Sequence, residues 1–114
     1  MSKFKSAYQK FIDLEIAAEK SLDFPLLEPI EKRILSLLIT YWLNNKPLTV
    51  VEAIHMSSEI STSTMFRYLK KLRKKGYVES IIDELDNRVK YVSPTKQADQ
   101  YLSKMGKLMA KASL

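Results

Sequence analysis

At Gly76 the spacing of apolar residues changes abruptly. Before it, Met65, Tyr68, Leu69 and Leu72 fall at i, i+3, i+4 and i+7, the repeat of one buried helix face. After it, Tyr77-Val78-Glu79-Ser80-Ile81-Ile82 and Arg88-Val89-Lys90-Tyr91-Val92 follow a period of two, which marks two antiparallel strands joined by Asp83-Glu84-Leu85-Asp86-Asn87. Ser61 stands where a helix N-cap prefers a hydroxyl, and Gly76 where a left-handed C-terminal cap prefers glycine. A capped helix running straight into a hairpin leaves few architectures open.

The same helix concentrates the chain's charge. Six of nineteen basic residues lie in Arg67-Tyr68-Leu69-Lys70-Lys71-Leu72-Arg73-Lys74-Lys75, with no acid between them. The formal net charge is +6, so the rest of the chain balances at 13 basic and 13 acidic residues. A local excess of this kind attracts polyanions from one direction. Opposite the apolar stripe, the helix presents Thr62, Ser63, Phe66, Arg67, Lys70 and Lys74, with Ser61 just before them. In a helix laid into a major groove, the first turns reach base edges and later residues lean on phosphates. Arg67 suits a bidentate contact to guanine, and Phe66 or the Thr62 methyl suits a thymine methyl. Lys71, Arg73 and Lys75 lie towards the flanks and contribute mainly field. The plain alternative is a solvated basic face. The order helix, turn, capped basic helix, glycine, hairpin favours the groove.

Elsewhere the pattern is helical. A first helix is predicted from Ser2 to Leu22, carrying Phe4, Tyr8, Phe11, Ile12 and Ile16, and Pro25 ends it. A second starts near Glu28-Pro29, with Glu28 and Glu31 placed for the helix dipole, and holds the most apolar segment up to the stop signal Asn44-Asn45-Lys46-Pro47. Thr49 and Glu52 match a capping box before a short helix of about two turns with Val51, Ile54 and His55. Met56 to Ile60 is a serine-rich turn. The last helix starts around Ser93-Pro94-Thr95, and Ala98, Tyr101, Leu102, Met105, Leu108, Met109 and Ala112 form its stripe. The fold class is mainly α with a small β-hairpin, divided as an N-terminal helix (1–24), a helix-turn-helix domain with a wing (25–93) and a C-terminal helix (94–114).

Composition narrows the chemistry. With no cysteine, disulfides, thiolate zinc sites and cysteine nucleophiles are ruled out, which suits a reducing compartment. His55 is the single histidine and reads as a packed or solvated side chain. The serines have no base at a recognisable spacing, and two glycines, Gly76 and Gly106, make no phosphate loop. The expectation is a protein that is not an enzyme and uses no metal or cofactor. No apolar run reaches the length of a membrane span and the N-terminus has no signal-peptide core, so a cytoplasmic protein without a membrane partner is expected.

The stretch Ile60-Ser61-Thr62-Ser63-Thr64-Met65-Phe66-Arg67-Tyr68-Leu69-Lys70-Lys71-Leu72-Arg73-Lys74-Lys75-Gly76-Tyr77-Val78-Glu79 resembles the recognition helix and first wing strand of MarR-type winged helix-turn-helix transcriptional regulators. Asp86-Asn87-Arg88-Val89-Lys90-Tyr91-Val92-Ser93-Pro94-Thr95 resembles that family's wing. The likeness runs from Leu48 to Leu102, with Ser57-Ser58-Glu59 in the turn where relatives often place glycine. It implies double-stranded DNA as the partner, with Thr62, Ser63, Phe66 and Arg67 facing the major groove. Arg88 would approach the minor groove, braced by Asp86, with Lys90 beside it. Asp83, Glu84 and Asp86 put three acids in the same loop, so a hairpin that only packs the fold stands as the other reading of the wing.

The first and last helices carry stripes with no evident partner inside a monomer. They are expected to be dimerisation helices, through Phe4, Tyr8, Phe11 and Ile12 and through Tyr101, Leu102, Met105, Leu108 and Met109. The function expected is sequence-specific binding of a (pseudo)palindromic operator by a homodimer acting as a repressor. The resemblance also suggests a small-molecule effector, for which the residues themselves give no sign. The alternative is a winged-helix protein–protein interaction module without sequence-specific DNA binding.

Overall fold

A computed structural model describes residues 2–21 and 23–113. In chain order it contains α1 (Lys3–Ser21), α2 (Pro29–Leu43), α3 (Val50–Ile54), α4 (Thr62–Lys74), β1 (Val78–Ile82), β2 (Lys90–Pro94) and α5 (Lys96–Ala112). Two units divide the chain: residues 27–98, and residues 1–26 with 99–114. The observed class is mainly helical with a two-stranded antiparallel wing.

The 27–98 unit is built on α2. Its N-terminus is closed by a capping box, in which the Glu28 amide donates to Glu31 Oε1 at 2.6 Å, and Pro29 occupies the first turn. Those two acids therefore make specific bonds beyond the dipole role expected of them. Glu31, Ile34, Leu35 and Leu38 form the buried stripe of this helix. Leu48, Ala53, Ile60, Met65, Leu69, Leu72, Tyr77, Val78, Val92 and Ala98 are the other buried apolar residues that anchor the unit's core. Asn45 turns the chain out of α2 at φ 55°, a conformation asparagine tolerates better than most residues.

The Thr49–Glu52 capping box is present, with the Glu52 amide bonded to Thr49 Oγ1 at 3.1 Å and the Thr49 amide to Glu52 Oε1 at 3.0 Å. The helix it starts has five residues rather than two turns. Its register brings Ala53 into the core and leaves Val51 66% exposed. His55 is the exposed C-cap. In the following turn the Ser57 hydroxyl accepts from the Glu59 amide at 3.2 Å, so a side chain closes a turn that glycine would otherwise serve.

The hairpin pairs Val78 with Pro94 and Ile82 with Lys90. β2 begins two residues later than predicted because hydrogen bonds to Asp86 hold Arg88 and Val89 in the turn. Asp86 accepts from the Arg88 amide with Oδ1 (3.0 Å) and from the Val89 amide with its carbonyl (3.0 Å). Ser93 and Pro94 consequently belong to the strand, and α5 starts at Lys96, where Thr95 Oγ1 accepts from the Ala98 amide at 3.1 Å. A segment that the sequence pattern did not reveal lies beside β2: Thr49 bridges to Tyr91, and the Val92 amide donates to the Leu48 carbonyl at 2.8 Å. Trp42 Nε1 donates to the Val92 carbonyl at 3.1 Å. The wing is thus fastened to the core along β2.

In the other unit, α1 ends at Ser21, and the predicted last residue, Leu22, lies outside the described residues. Ala18, Tyr101, Leu108 and Ala112 are buried. Ala7, Tyr8 and Phe11 of α1 share one depression with Met109, Ala112 and Ser113 of α5. The two stripes therefore cover each other in part, contrary to the expectation that neither has a partner within the monomer. Burial pushes the Tyr101 hydroxyl up to about 12, helped by the charges of Glu19 and Glu15.

Candidate nucleic-acid interface

α4 begins where Ser61 can cap it. The Ser61 hydroxyl accepts from the Thr64 amide at 3.2 Å and lies 2.8 Å from Thr64 Oγ1 and 3.3 Å from Ser63 Oγ. The helix buries Met65, Leu69 and Leu72, and that stripe sets which residues face outward. Tyr68 is only half-buried, at variance with the sequence reading. Its ring lies at the border of the stripe, with the Arg67 guanidinium 5.1 Å and Lys71 Nζ 4.7 Å from its centroid. Such cations favour an aromatic face left accessible at its edge. At the other end, Gly76 adopts φ 87° and its amide donates to the Arg73 carbonyl, the left-handed cap expected of it.

The basic cluster splits into two sets. Lys71 pairs with Glu28 at 3.5 Å, and Lys75 pairs with the fully buried Glu31 at 2.5 Å. These two lysines bind α4 to the start of α2, which the sequence reading did not foresee. A signal was available, since Glu31 stands on the apolar stripe with Ile34, Leu35 and Leu38. Arg67, Lys70, Arg73 and Lys74 are exposed and have no ion pair among the described residues. Ser61, Thr62 and Ser63 are exposed beside them. Phe66 is 44% exposed, with Lys70 Nζ 4.4 Å from its ring centroid. The outward face therefore carries hydroxyls in its first turn, an aromatic edge, and four unneutralised cations.

Beside this face runs a groove of about 230 Å³ between α4 and the hairpin. Leu69, Val78 and Val92 contribute to its apolar walls, and Lys70, Arg73 and Lys90 to its charge. Phe66, Lys70 and Arg73 fall at i, i+4 and i+7, so one helix edge supplies three of its lining side chains. Arg73, which sequence reasoning placed on the flank, thus lies with Lys70 on the side towards the wing.

In the wing, the three acids have different surroundings. Asp83 Oδ1 accepts from the Leu85 and Asp86 amides at 2.8 and 3.2 Å, and Oδ2 from the Tyr91 hydroxyl at 2.8 Å. The Leu85 amide, then Tyr91, hold the Asp83 carboxyl below its ordinary value, and the same bond raises the Tyr91 hydroxyl. Asp86 grips Arg88 through Nε to Oδ1 (3.0 Å) and a second guanidinium nitrogen to Oδ2 (3.1 Å). That pair lowers the Asp86 carboxyl and raises the guanidinium. Arg88 keeps 91% of its side chain exposed although Asp86 holds two nitrogens of its guanidinium. Lys90 is exposed at the start of β2, and Glu84 is exposed without an ion pair among the described residues.

Of the side chains expected at a dimer contact, Phe4, Tyr8 and Met109 are exposed, at 78%, 68% and 59%. Phe11, Ile12, Leu102 and Met105 are half-buried, whereas Tyr101 and Leu108 are buried in the chain itself. Among the described residues, no group of three or more histidine, aspartate or glutamate side chains is arranged to hold a metal ion. No described helix is long and apolar enough to cross a membrane.

Residues 35–90 match the sequence model of the MarR family. A comparison with curated proteins finds no match. Among solved structures, a mutant E. coli MarR complexed with operator DNA is 21% identical, with 92% of this chain and 69% of that one covered at a TM-score of 0.57. A mutant MepR from S. aureus is 16% identical, with 96% and 67% covered at a TM-score of 0.62. A transcriptional regulator from Thermotoga maritima is 19% identical, with 74% and 56% covered at a TM-score of 0.58. The chain thus spans little more than half the length of that last structure.

Proposed function

This chain belongs to the MarR family of winged-helix transcriptional regulators, and on that premise we propose that it binds double-stranded operator DNA as a homodimer, with α4 in the major groove. The observation that carries the proposal is the outward face of α4. Arg67, Lys70, Arg73 and Lys74 are exposed there with no ion pair among the described residues, while the two lysines on its other edge are neutralised by Glu28 and Glu31. The helix is not evenly basic; its charge is spent on one edge for packing and left open on the other.

Ser61, Thr62, Ser63, Phe66 and Arg67 lie where a helix N-terminus meets base edges, and Lys70 and Lys74 where it meets phosphates. Arg88, supported by Asp86, is the wing's candidate for a narrow minor groove, with Lys90 behind it. A twofold dimer would place two α4 helices about 34 Å apart, on successive major grooves. Phe4, Tyr8 and Met109 are the exposed apolar side chains such a dimer would cover, with Phe11, Ile12, Leu102 and Met105 around them. Occupancy of an operator by this dimer in the cytoplasm would repress transcription by excluding polymerase.

Selection of bound fragments from random duplexes tests the whole reading. The expected product is an inverted repeat, bound with an affinity that falls steeply with salt. Enrichment of no sequence, or no binding at low salt, would instead favour a winged-helix module that holds another protein.

A further inference from the structure

Among the described residues, Glu31 is the only charged side chain that is fully buried. Its Oε1 accepts from the Glu28 amide at 2.6 Å and from Lys75 Nζ at 2.5 Å, and its Oε2 has no hydrogen-bond partner. Capping α2 needs only a neutral acceptor, which glutamine supplies equally well. The charge is therefore in excess of the capping role. A buried ion pair with an oxygen left unsatisfied is also a poor source of stability, since desolvation offsets its attraction. What such a pair offers is direction, and in some proteins a buried polar contact fixes one arrangement among several.

α4 has a use for direction. Its stripe of Met65, Leu69 and Leu72 resists separation from the core, but hydrophobic contact is non-directional and opposes tilt only weakly. The C-terminal end is the anchored one. There the Lys75 carbonyl accepts from Gln97 Nε2 at 2.8 Å, the Gly76 carbonyl from Thr95 Oγ1 at 2.5 Å, and the Lys75 side chain reaches Glu31. The N-terminal end, with Ser61 to Arg67, carries the groove-facing residues. Thirteen residues make a lever of about 20 Å, so a tilt of about 10° at Lys75 carries Thr62 through roughly 3 Å. A displacement of that size breaks a base contact.

We propose that Glu31 is a positioning residue for sequence reading: by gripping Lys75 it sets the tilt of α4, so base discrimination depends on a side chain that touches no base. This rests on the DNA-binding function proposed above. The test compares the wild type with Glu31→Gln, with Lys75→Met, and with Glu31→Gln combined with Lys75→Met, which removes both charges of the pair and keeps an acceptor for the Glu28 amide. Each is measured for thermal unfolding, for affinity to the selected site and to random duplex, and for the salt slope of each.

The double variant should unfold at or above the wild-type temperature, yet discriminate between the two duplexes about tenfold less well, the size of one lost base contact. Binding to random duplex should change by no more than one removed charge explains. Glu31→Gln and Lys75→Met should lose discrimination to a similar extent, and the double no more than either. A double variant that is folded and discriminates as well as the wild type would overturn the inference. So would failure of every Glu31 variant to fold while Lys75→Met folds and discriminates normally, since that marks a purely structural carboxylate. If the wild type itself selects no site, the DNA-binding reading fails first. A wild type with a site and variants that share it overturns only the positioning role.

Discussion

Arg67 and Lys74 stand on the same exposed face of α4, two turns apart, and their positions assign them different tasks. Arg67→Ala should lose about 1–3 kcal/mol of discrimination at one base position and relax the selected site there. Lys74→Ala should weaken every duplex alike and lower the salt slope by about one. Titrations of site and random duplex at several salt concentrations separate the two outcomes. Gly76 makes a stability prediction at the same scale. An alanine there would hold φ 87° and place its Cβ 3.0 Å from Gln97 Oε1, so Gly76→Ala should cost about 1–2 kcal/mol from the left-handed backbone alone. It should also loosen the Gln97 bond to Lys75. Denaturant unfolding measures the first effect, and exchange of the Gln97 side-chain amide reports the second.

The wing shows how an element's boundaries can depend on single side chains. Asp83 is held below its ordinary carboxyl range by the Leu85 amide and by Tyr91. A carboxylate whose folded value is depressed stabilises the fold above its unfolded value and ceases to do so as pH falls through the folded one. The hairpin turn should therefore loosen below about pH 4, read as faster exchange of the Leu85 and Asp86 amides, and Asp83→Asn should remove that dependence. These same bonds explain which elements could be read from sequence. α2, α4 and α5 were legible because their stripes repeat at helical spacing and Pro29, Ser61, Gly76 and Thr95 punctuate them. The start of β2 was not, because Asp86 captures the amides of Arg88 and Val89 and removes two apparent strand residues from the ladder. The bridge from Thr49 to Tyr91 had no local signature, since it joins residues 42 apart that meet only through folding. The outward face of α4 was legible from its register; its division into paired and unpaired lysines required Glu28 and Glu31, which belong to another helix.

At the scale of the whole molecule, the unresolved demand is apolar surface. Phe4, Tyr8, Ile16 and Met109 are exposed even though α1 and α5 already bury Ala18, Tyr101, Leu108 and Ala112. A charge introduced at that surface, as in Tyr8→Glu or Met109→Glu, should convert the proposed dimer to a monomer in sedimentation while the 27–98 unit stays folded. Affinity for a full inverted repeat should then drop towards that for a half-site. The chain also carries its own optical probe for such experiments. Trp42 is the only tryptophan, half-buried and bonded through its indole to the Val92 carbonyl of β2. Its emission should shift to longer wavelength when the hairpin detaches from the core and water reaches the indole. Fluorescence would thus follow the wing without any label, against a background of tyrosine alone.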